Sequence, residues 1–286
     1  MIVSSLRGGL GNQFFQYATG RALARRRKTE LVLDVEWFNH NHPGSEPRTF
    51  ELYRYRIQAR TLLASERKWI QRFTVGRMKR FAFAHRWTRF KEPDFNQYYP
   101  STLDLGGNVY LDGYWQYPDY FADCEDLIRA ELVPSAAVSE QDCAIVRRIK
   151  EVNSVSIHVR RGDYLTSGQF IGVLPLTYYT RAITWVMSRV KSPHFFVFSD
   201  DPNWVRANFL IDAPVEYVVH DGADAAFKDL HLMAQCQHHI IANSSFSWWA
   251  AWLCSSESPL VLAPMRWFAK HAPGTHSRLP PNWVSL

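Results

Sequence analysis

Two adjacent arginines, Arg160 and Arg161, are the residues of this chain best suited to hold an anion, and Asp163 follows them after a single glycine. Each guanidinium is a rigid fork of donors, so two side by side can grip several oxygens of a diphosphate. A surface turn in which Arg161 and Asp163 pair with each other would have the same spacing. These residues alone leave both interpretations open.

The segment before the arginines has the period of a strand with one buried face. Val155, Ile157 and Val159 alternate with polar residues, among them His158. Open α/β sheets bind their ligands at the carboxyl ends of the strands. The position of the arginines, directly after such a strand, favours an anion site.

Two more apolar strands in the second half of the chain are followed by polar residues. Residues 194–198 lead into Ser199 and Asp200, and residues 240–242 lead into the cluster at 243–247. Helices predicted between the strands indicate a parallel sheet, so the three strand ends should meet at one edge. Small hydroxyls and helix N–H groups there suit phosphate oxygens, and acids suit ribose hydroxyls or a guanine edge.

A glycine-rich turn at residues 8–13 joins a short N-terminal strand to a helix. Backbone N–H groups in such a turn can approach a phosphate. Its spacing matches neither G-x-G-x-x-G nor a P-loop. The residues of the turn alone favour a tight connection without a ligand.

Residues 60–91 carry ten Lys or Arg against one acid, Glu66, with aromatic residues interleaved. A basic amphipathic helix of this kind can lie on an anionic membrane surface or contact an acceptor, and we favour this slightly over a cationic helical insertion covering the first domain. Nucleic-acid binding stays open, but no DNA- or RNA-binding motif accompanies the segment.

The composition is that of a globular enzyme of 286 residues, with 15% aromatic residues and a net charge of +6. The basic balance points to an anionic partner. Neither a signal peptide nor an apolar run of membrane-spanning length is recognisable, so we expect a cytoplasmic protein, peripheral at most on the inner membrane face. The four cysteines have no C-x-x-C spacing and are expected to be free thiols.

Four motifs in this order resemble the α-1,2-fucosyltransferases of glycosyltransferase family 11, bacterial type. They are residues 9–13 (GLGNQ), 158–164 (HVRRGDY), 198–201 (FSDD) and 243–249 (NSSFSWW). The resemblance spans nearly the whole chain, and four motifs in register are specific where one would be weak.

The resemblance implies an α/β fold of the GT-B type, with two Rossmann-like domains whose parallel sheets face a central cleft. We place an acceptor-side domain at residues 1–150 and a GDP-fucose-binding domain at 151–286. Direct, inverting and metal-independent transfer is also implied, with no cofactor. The chain has no D-x-D motif, so the arginines would neutralise the departing diphosphate in place of a metal.

Matching the motifs residue by residue implies the donor site. Arg160 and Arg161 match the phosphate-binding pair, His158 the residue that supports them, and Asp229 an acid near the guanosine. The glycine turn resembles a loop that closes over the fucose and diphosphate, which replaces the simpler interpretation above. The full donor-binding set is Gly9, Gly11, Asn12, Gln13, His158, Arg160, Arg161, Ser199, Asp200, Asp229, Asn243, Ser244, Ser245 and Phe246.

Inverting transfer calls for a carboxylate that takes the proton of the acceptor hydroxyl. Related α-1,6-fucosyltransferases use a glutamate a few residues past the arginine motif, and this chain has none there. Asp163 is the remaining local carboxylate, although it could instead orient Arg161. The catalytic residues expected are therefore Asp163, Arg161 and His158.

The function expected is transfer of fucose from GDP-fucose to the 2-hydroxyl of a terminal galactose on an oligosaccharide or lipid-linked glycan. The acceptor side would draw on Asp34, Trp37, Tyr114 and Trp115, the last two as a sugar-stacking surface. Alternatives are α-1,6 or protein O-fucosylation and, less favoured, a non-enzymatic basic protein that binds nucleic acid.

Overall fold

The computed structural model describes residues 1–42, 46–74, 87–136, 139–166, 172–268 and 278–286. The chain divides into two compact units. The first comprises Met1–Ser135 and Gly274–Arg278, and the second comprises Ala136–Pro273 and Leu279–Leu286. Each unit is an α/β structure built on one sheet of parallel strands, as the sequence predicts.

The first unit contains a five-stranded sheet with the order β3-β2-β1-β5-β4. Its strands are β1 (Ile2–Ser5), β2 (Leu31–Asp34), β3 (Arg60–Thr61), β4 (Trp87–Lys91) and β5 (Asn108–Asp112), and its helices are α1 (Leu10–Arg26), α2 (Ala64–Thr74) and α3 (Glu125–Glu131). The two edge strands, β3 and β4, were not predicted from the sequence.

Helix α1 follows the glycine turn and packs closely on the sheet. Gly8 has a φ of +76°, a conformation that L side chains rarely adopt. A Cβ atom at Gly20 would lie 2.8 Å from Leu31 Cδ1, so the missing side chain allows the helix to approach β2. Arg25 and Arg26 occupy the last turn, where cations complement the helix dipole.

The basic segment at 60–91 is not one helix, and the prediction of a helical insertion is wrong for its ends. It begins with β3, continues through α2 and ends with β4, which pairs along its whole length with β5. Sequence patterning missed β4 because pairing with a distant strand decides its conformation. Residues 75–86, which carry much of the predicted basic face, lie outside the described residues.

The second unit contains a six-stranded sheet with the order β11-β10-β9-β6-β7-β8. Its strands are β6 (Asn153–Val159), β7 (Pro193–Ser199), β8 (Val215–Val218), β9 (His238–Ile240), β10 (Val261–Ala263) and β11 (Val284–Ser285). Its helices are α4 (Glu140–Glu151), α5 (Gly162–Thr166), α6 (Leu176–Met187), α7 (Pro202–Asn208), α8 (Ala225–Gln235) and α9 (Ser245–Trp252).

Strand β6 lies in the middle of this second sheet, between β9 and β7. Its Ile157 pairs with Ile240 of β9 and with Val197 of β7, and all three side chains are buried in one apolar core. The register brings Val159 opposite Ser199, so the residues that follow β6 and β7 begin side by side. The pairing therefore fixes the neighbours of Arg160 and Arg161.

His239 in β9 is a titratable group buried within this sheet. Its side chain has no exposed surface, and its Nδ1 is hydrogen-bonded to the hydroxyl of Ser156 at 2.8 Å. Burial, and then the neighbouring His238, lowers the pKa of His239 to about 3. The folded protein therefore keeps this imidazole neutral at pH values where the unfolded chain protonates it.

We expect this histidine to make the protein sensitive to acid. Because the folded pKa lies below the ordinary value of 6.5, stability is complete above pH 6.5 and falls as the pH is lowered toward 3. At pH 5 the loss from one such histidine is about 2 kcal/mol.

Replacing His239 with Gln retains a hydrogen-bonding group but removes the titration, so His239→Gln should lose less stability than the wild type between pH 7.5 and pH 5. Urea denaturation at both pH values measures the difference. His40→Gln, an exposed histidine of the first unit, serves as the control. If the wild type and His239→Gln lost the same stability between pH 7.5 and pH 5, His239 would not be the source of the acid sensitivity.

Candidate functional site

Three polar clusters of the second unit meet at the carboxyl edge of its sheet. They follow β9, β6 and β7, which are consecutive strands. Direct contacts join them: the Tyr164 hydroxyl donates to the Asn243 carbonyl at 3.2 Å, and the His158 and Phe246 rings lie 5.4 Å apart. The predicted convergence of the three strand ends is confirmed within this unit.

Arg160 is held between two carboxylates. Its guanidinium lies 2.7 Å from Oδ1 of Asp163 and 2.9 Å from Oδ2 of Asp200, and only 17% of its side chain is exposed. Asp163 therefore pairs with Arg160, not with Arg161 as the simpler interpretation of the turn suggested. This pairing anchors the first turn of α5 to the end of β7.

Arg161 is positioned by different groups from those that hold Arg160. Its backbone N–H donates to Asp200 at 2.8 Å and its Nε donates to Asp201 at 3.2 Å, while its guanidinium lies 3.6 Å from the ring centre of Trp204. Only 15% of the side chain is exposed. Within the part of the chain that the structure describes, its two terminal Nη groups have no hydrogen-bond partner, so they remain available to an anion.

Asp201 and Trp204 were not among the predicted site residues. Asp201 caps α7 by accepting the N–H of Trp204 at 3.1 Å, and its own N–H donates to Ser199 Oγ at 3.0 Å. An acid followed by Pro202 is a recognisable start of a helix, so the cap could be predicted from the sequence. The stacking of Trp204 on Arg161 could not be predicted, because it depends on strand register.

His158 is neutral and buried. Only 5% of it is exposed, and its Nδ1 has no partner among the described residues. Burial, and then the charge of Arg160, lowers the pKa of His158 to about 3. It therefore adds no positive charge beside the arginines, and its low basicity makes it a poor general base near pH 7.

The segment at 243–246 turns β9 into α9. The hydroxyl of Ser244 accepts the N–H of Phe246 at 3.3 Å, which caps the helix, while Ser245 is half-buried. Asn243 is buried, and its Nδ2 donates to the carbonyls of Gly172 and Trp267. Its amide thus ties neighbouring segments together, while the start of α9 carries the N–H groups suited to an anion.

Asp229 belongs to a second polar cluster of this unit. It lies on α8 and is hydrogen-bonded to Nδ1 of His220 at 2.7 Å, whose Nε2 is 2.9 Å from Asp142 of α4. The hydrogen bond to Asp229, opposed by burial and helped by Asp142, raises the pKa of His220 above its ordinary value. The imidazole thus holds two carboxylates together, and Asp229 is fixed by it.

In the first unit, the glycine turn is built around Gln13. This side chain is fully buried, donates to the carbonyls of Gly8 and Thr49, and accepts the N–H of Glu51. Its amide therefore shapes the turn and has no exposed surface, and its role in donor binding stays a prediction. Asn12 is partly exposed and accepts from Gln116 at 2.8 Å.

The two glycines of the predicted donor-binding set, Gly9 and Gly11, differ in exposure. Gly9 is partly exposed, and the guanidinium of Arg48 lies about 4 Å from where a Cβ of Gly9 would be. Gly11 is buried in the first turn of α1.

The residues assigned to the acceptor divide into exposed and buried groups. Trp37 stacks on His42 with ring centres 3.9 Å apart and lines a cavity of about 250 Å³. Tyr114 is partly exposed beneath the guanidinium of Arg7. Both can present a face to a sugar.

Trp115 and Asp34, the other two residues assigned to the acceptor, are both buried. Trp115 is fully buried and stacks on Phe90, so it forms part of the core and offers no surface to a sugar. Asp34 is 4% exposed and accepts from Arg67 and from the hydroxyl of Tyr110. Its carboxylate therefore holds the end of β2 in place.

Within the described ranges, no group of three or more His, Cys, Asp and Glu side chains is arranged to hold a metal ion. Among the helices that the structure describes, none has the length and apolarity needed to cross a membrane.

The charge of His220 yields a test of the second cluster. Because its folded pKa is raised, the stability it contributes is present below pH 6.5 and is lost as the pH rises through the folded pKa. Asp142, Asp229, Lys228, His231 and Lys150 are other titratable groups on α4 and α8 near this cluster.

His220→Gln should be less stable than the wild type by about 2 kcal/mol at pH 6, the scale of a hydrogen bond to a charged group. The difference in stability between His220→Gln and the wild type should be smaller at pH 9, because His220 is then neutral. His239 has the opposite pH dependence, since its contribution is lost as the pH falls. Urea denaturation at the two pH values measures the difference for His220→Gln, and a difference independent of pH would contradict the charged bridge.

The chain is similar in sequence to known glycosyltransferases. The family model for glycosyl transferase family 11 matches residues 1–286. An O-antigen biosynthesis glycosyltransferase of Escherichia coli, WbnK, is 33% identical and covers 99% of both chains. An Escherichia coli α-1,2-colitosyltransferase is 30% identical over 100% of this chain and 99% of its own.

A galactoside α-(1,2)-fucosyltransferase 1 of Saimiri sciureus is 34% identical over 49% of this chain and 41% of its own. Among solved structures, that of a mutant of Arabidopsis thaliana FUT1 in complex with GDP superimposes with a TM-score of 0.54. It is 10% identical and covers 91% of this chain and 70% of its own, so it supports the fold alone. With two parallel-sheet α/β units and a family match over its whole length, the chain belongs to glycosyltransferase family 11.

Proposed function

We propose that this protein transfers L-fucose from GDP-fucose to the 2-hydroxyl of a terminal galactose, with inversion at C1, to form an α-1,2 linkage. The observation that carries the proposal is the arrangement of Arg161. Its guanidinium is held on one face and at Nε, and its two Nη groups have no partner in the described part of the chain. A diphosphate supplies the oxygens that this edge of a guanidinium binds.

The diphosphate of the donor would be held by hydrogen bonds more than by net charge. Three carboxylates, those of Asp163, Asp200 and Asp201, surround the two guanidiniums. They orient the arginines and offset much of their charge. The N–H groups at the start of α9 would supply the remaining donors, and no metal is needed in this scheme.

As the bond from C1 to the diphosphate breaks, negative charge would grow on the leaving phosphate oxygen and positive charge on the sugar ring. Arg161 would stabilise the first, which lowers the barrier if its contact strengthens in the transition state. The acceptor hydroxyl would attack C1 from the opposite face. We assign its proton to Asp163, the carboxylate that lies 2.7 Å from the guanidinium of Arg160.

The rest of the donor would lie along the same sheet edge. Asp229 is proposed for the guanosine, held in place by His220. In the first unit, the partly exposed Gly9 and Asn12 of the glycine turn are proposed to contact the donor.

The acceptor is proposed to be a galactose-terminated glycan, including a lipid-linked one at a membrane surface. The O-antigen enzyme among the relatives supports a surface polysaccharide as its destination. In the first unit, Lys68 and Arg72 are exposed on α2, and we propose that these cations contact the anionic membrane surface.

A donor carrying colitose in place of fucose is the second candidate, because the α-1,2-colitosyltransferase matches along the full length of the chain. Transfer assays with both GDP-sugars would separate the two. The linkage would be common to both candidates.

Arg161→Ala should lower transfer of labelled fucose from GDP-fucose to lactose by about a hundredfold or more, since it removes a contact to developing charge. The assay is run in EDTA, with Arg189→Ala, an exposed arginine of the same unit, as control. Loss in Arg161→Ala alone supports the proposal. Hydrolysis of GDP-fucose without transfer would show that lactose is the wrong acceptor, and absence of both would overturn the proposed function.

Trp37→Ala should raise the KM for the acceptor about tenfold, on the scale of one lost stacking contact to a sugar ring, with little change in the KM for GDP-fucose. Tyr53→Ala, which removes another exposed aromatic ring of the first unit, is the control. Steady-state kinetics with each substrate varied separately gives both constants. A change in the donor KM alone would contradict the acceptor assignment.

A further inference from the structure

The carboxylate of Asp201 ties Arg161 to helix α7 through both of its oxygens. Oδ1 accepts the N–H of Trp204, and Oδ2 accepts Nε of Arg161. The same contacts bring the indole of Trp204 beneath the guanidinium, 3.6 Å from its carbon. One carboxylate therefore fixes both the arginine and the ring on which it lies.

We infer that Trp204 is a positioning residue for the donor diphosphate, acting through Arg161; this inference rests on the proposed function. A single bond at Nε fixes one point of a guanidinium but allows its plane to turn. Contact with the flat indole fixes the plane as well, and indole is the strongest of the aromatic side chains in binding a cation on its face.

The consequence is that the terminal donors of Arg161 are ordered before the ligand arrives. Arginine loses much rotamer freedom when it is immobilised, and this loss opposes binding. Where the folded protein has already restricted the side chain, the diphosphate does not bear that cost. Removing the indole should weaken GDP binding even though Trp204 itself need not touch the ligand.

The chain contains a matched control for this inference. Trp185 on α6 carries the guanidinium of Arg189 at the same distance, 3.6 Å. Trp185 and Trp204 are both partly buried and pack on the same apolar core. Arg189 lies on the exposed surface, outside the three strand ends, so the two indoles differ in the arginine they support.

The experiment compares the Kd for GDP of the full-length wild type, Trp204→Leu, Trp204→Phe and Trp185→Leu by calorimetry. Trp204→Leu should bind GDP about fivefold to tenfold more weakly, because GDP must then immobilise the rotamer-rich side chain of Arg161 on binding. Trp204→Phe should recover part of the loss because it restores an aromatic face. Trp185→Leu should bind as the wild type does.

A double-mutant cycle separates positioning from a general loss of structure. In an Arg161→Ala background, Trp204→Leu should cause no further loss, because the group it positions is absent. Because the Arg161→Ala variants should bind GDP weakly, their affinities are measured by GDP titrations monitored by nuclear magnetic resonance. The inference would be overturned by an equal loss of GDP affinity from Trp204→Leu in both backgrounds. It would also be overturned if Trp204→Leu bound GDP as the wild type does, or if Trp185→Leu weakened GDP binding as much as Trp204→Leu. Absence of GDP binding by the wild type would instead overturn the proposed function, and the inference with it.

Discussion

The ion pairs between the ends of β6 and β7 are the constraint on which the candidate site depends. Asp200 accepts the backbone N–H of Arg161 and pairs with the guanidinium of Arg160, while Asp201 holds Nε of Arg161. These side chains can meet because the register places Val159 opposite Ser199. A shift of one residue would separate the arginines from the acids and turn the strand's side chains to the other face.

This arrangement explains how an anion site can be assembled beside three carboxylates. The acids occupy the guanidinium of Arg160 and the backbone N–H and Nε of Arg161, while both terminal Nη groups of Arg161 are left without partners in the described chain. The neutral His158 adds no further cation that would repel Arg160. Recognition then depends on the direction of a few hydrogen bonds, which favours a defined phosphate geometry over anions in general.

The sequence allowed much of the second unit to be predicted. Apolar strands alternating with helices indicated a parallel sheet, and the strand ends of such a sheet lie at one edge, which indicated the convergence of 158–163, 199–201 and 243–247. The partners within the site were not predictable. Arg160 was free to pair with Asp163, Asp200 or both, and only the three-dimensional register decides, just as it decides that Trp204 lies beneath Arg161.

The first unit was harder to predict for a physical reason. Gln13, Asp34 and Trp115 are of residue types that also bind sugars and phosphates, but here they are buried and hold the turns of the sheet edge. Residue type does not distinguish a polar group that shapes a turn from one that contacts a ligand. Strand β4 escaped notice because its partner β5 lies elsewhere in the sequence.

A crystal structure of the protein with GDP would test whether Arg161 binds the donor diphosphate. Phosphate oxygens should lie within about 3 Å of the Nη atoms of Arg161. The guanidinium should still lie on Trp204 and remain hydrogen-bonded to Asp201. GDP bound away from the three strand ends, or an Arg161 side chain turned away from the diphosphate, would contradict it.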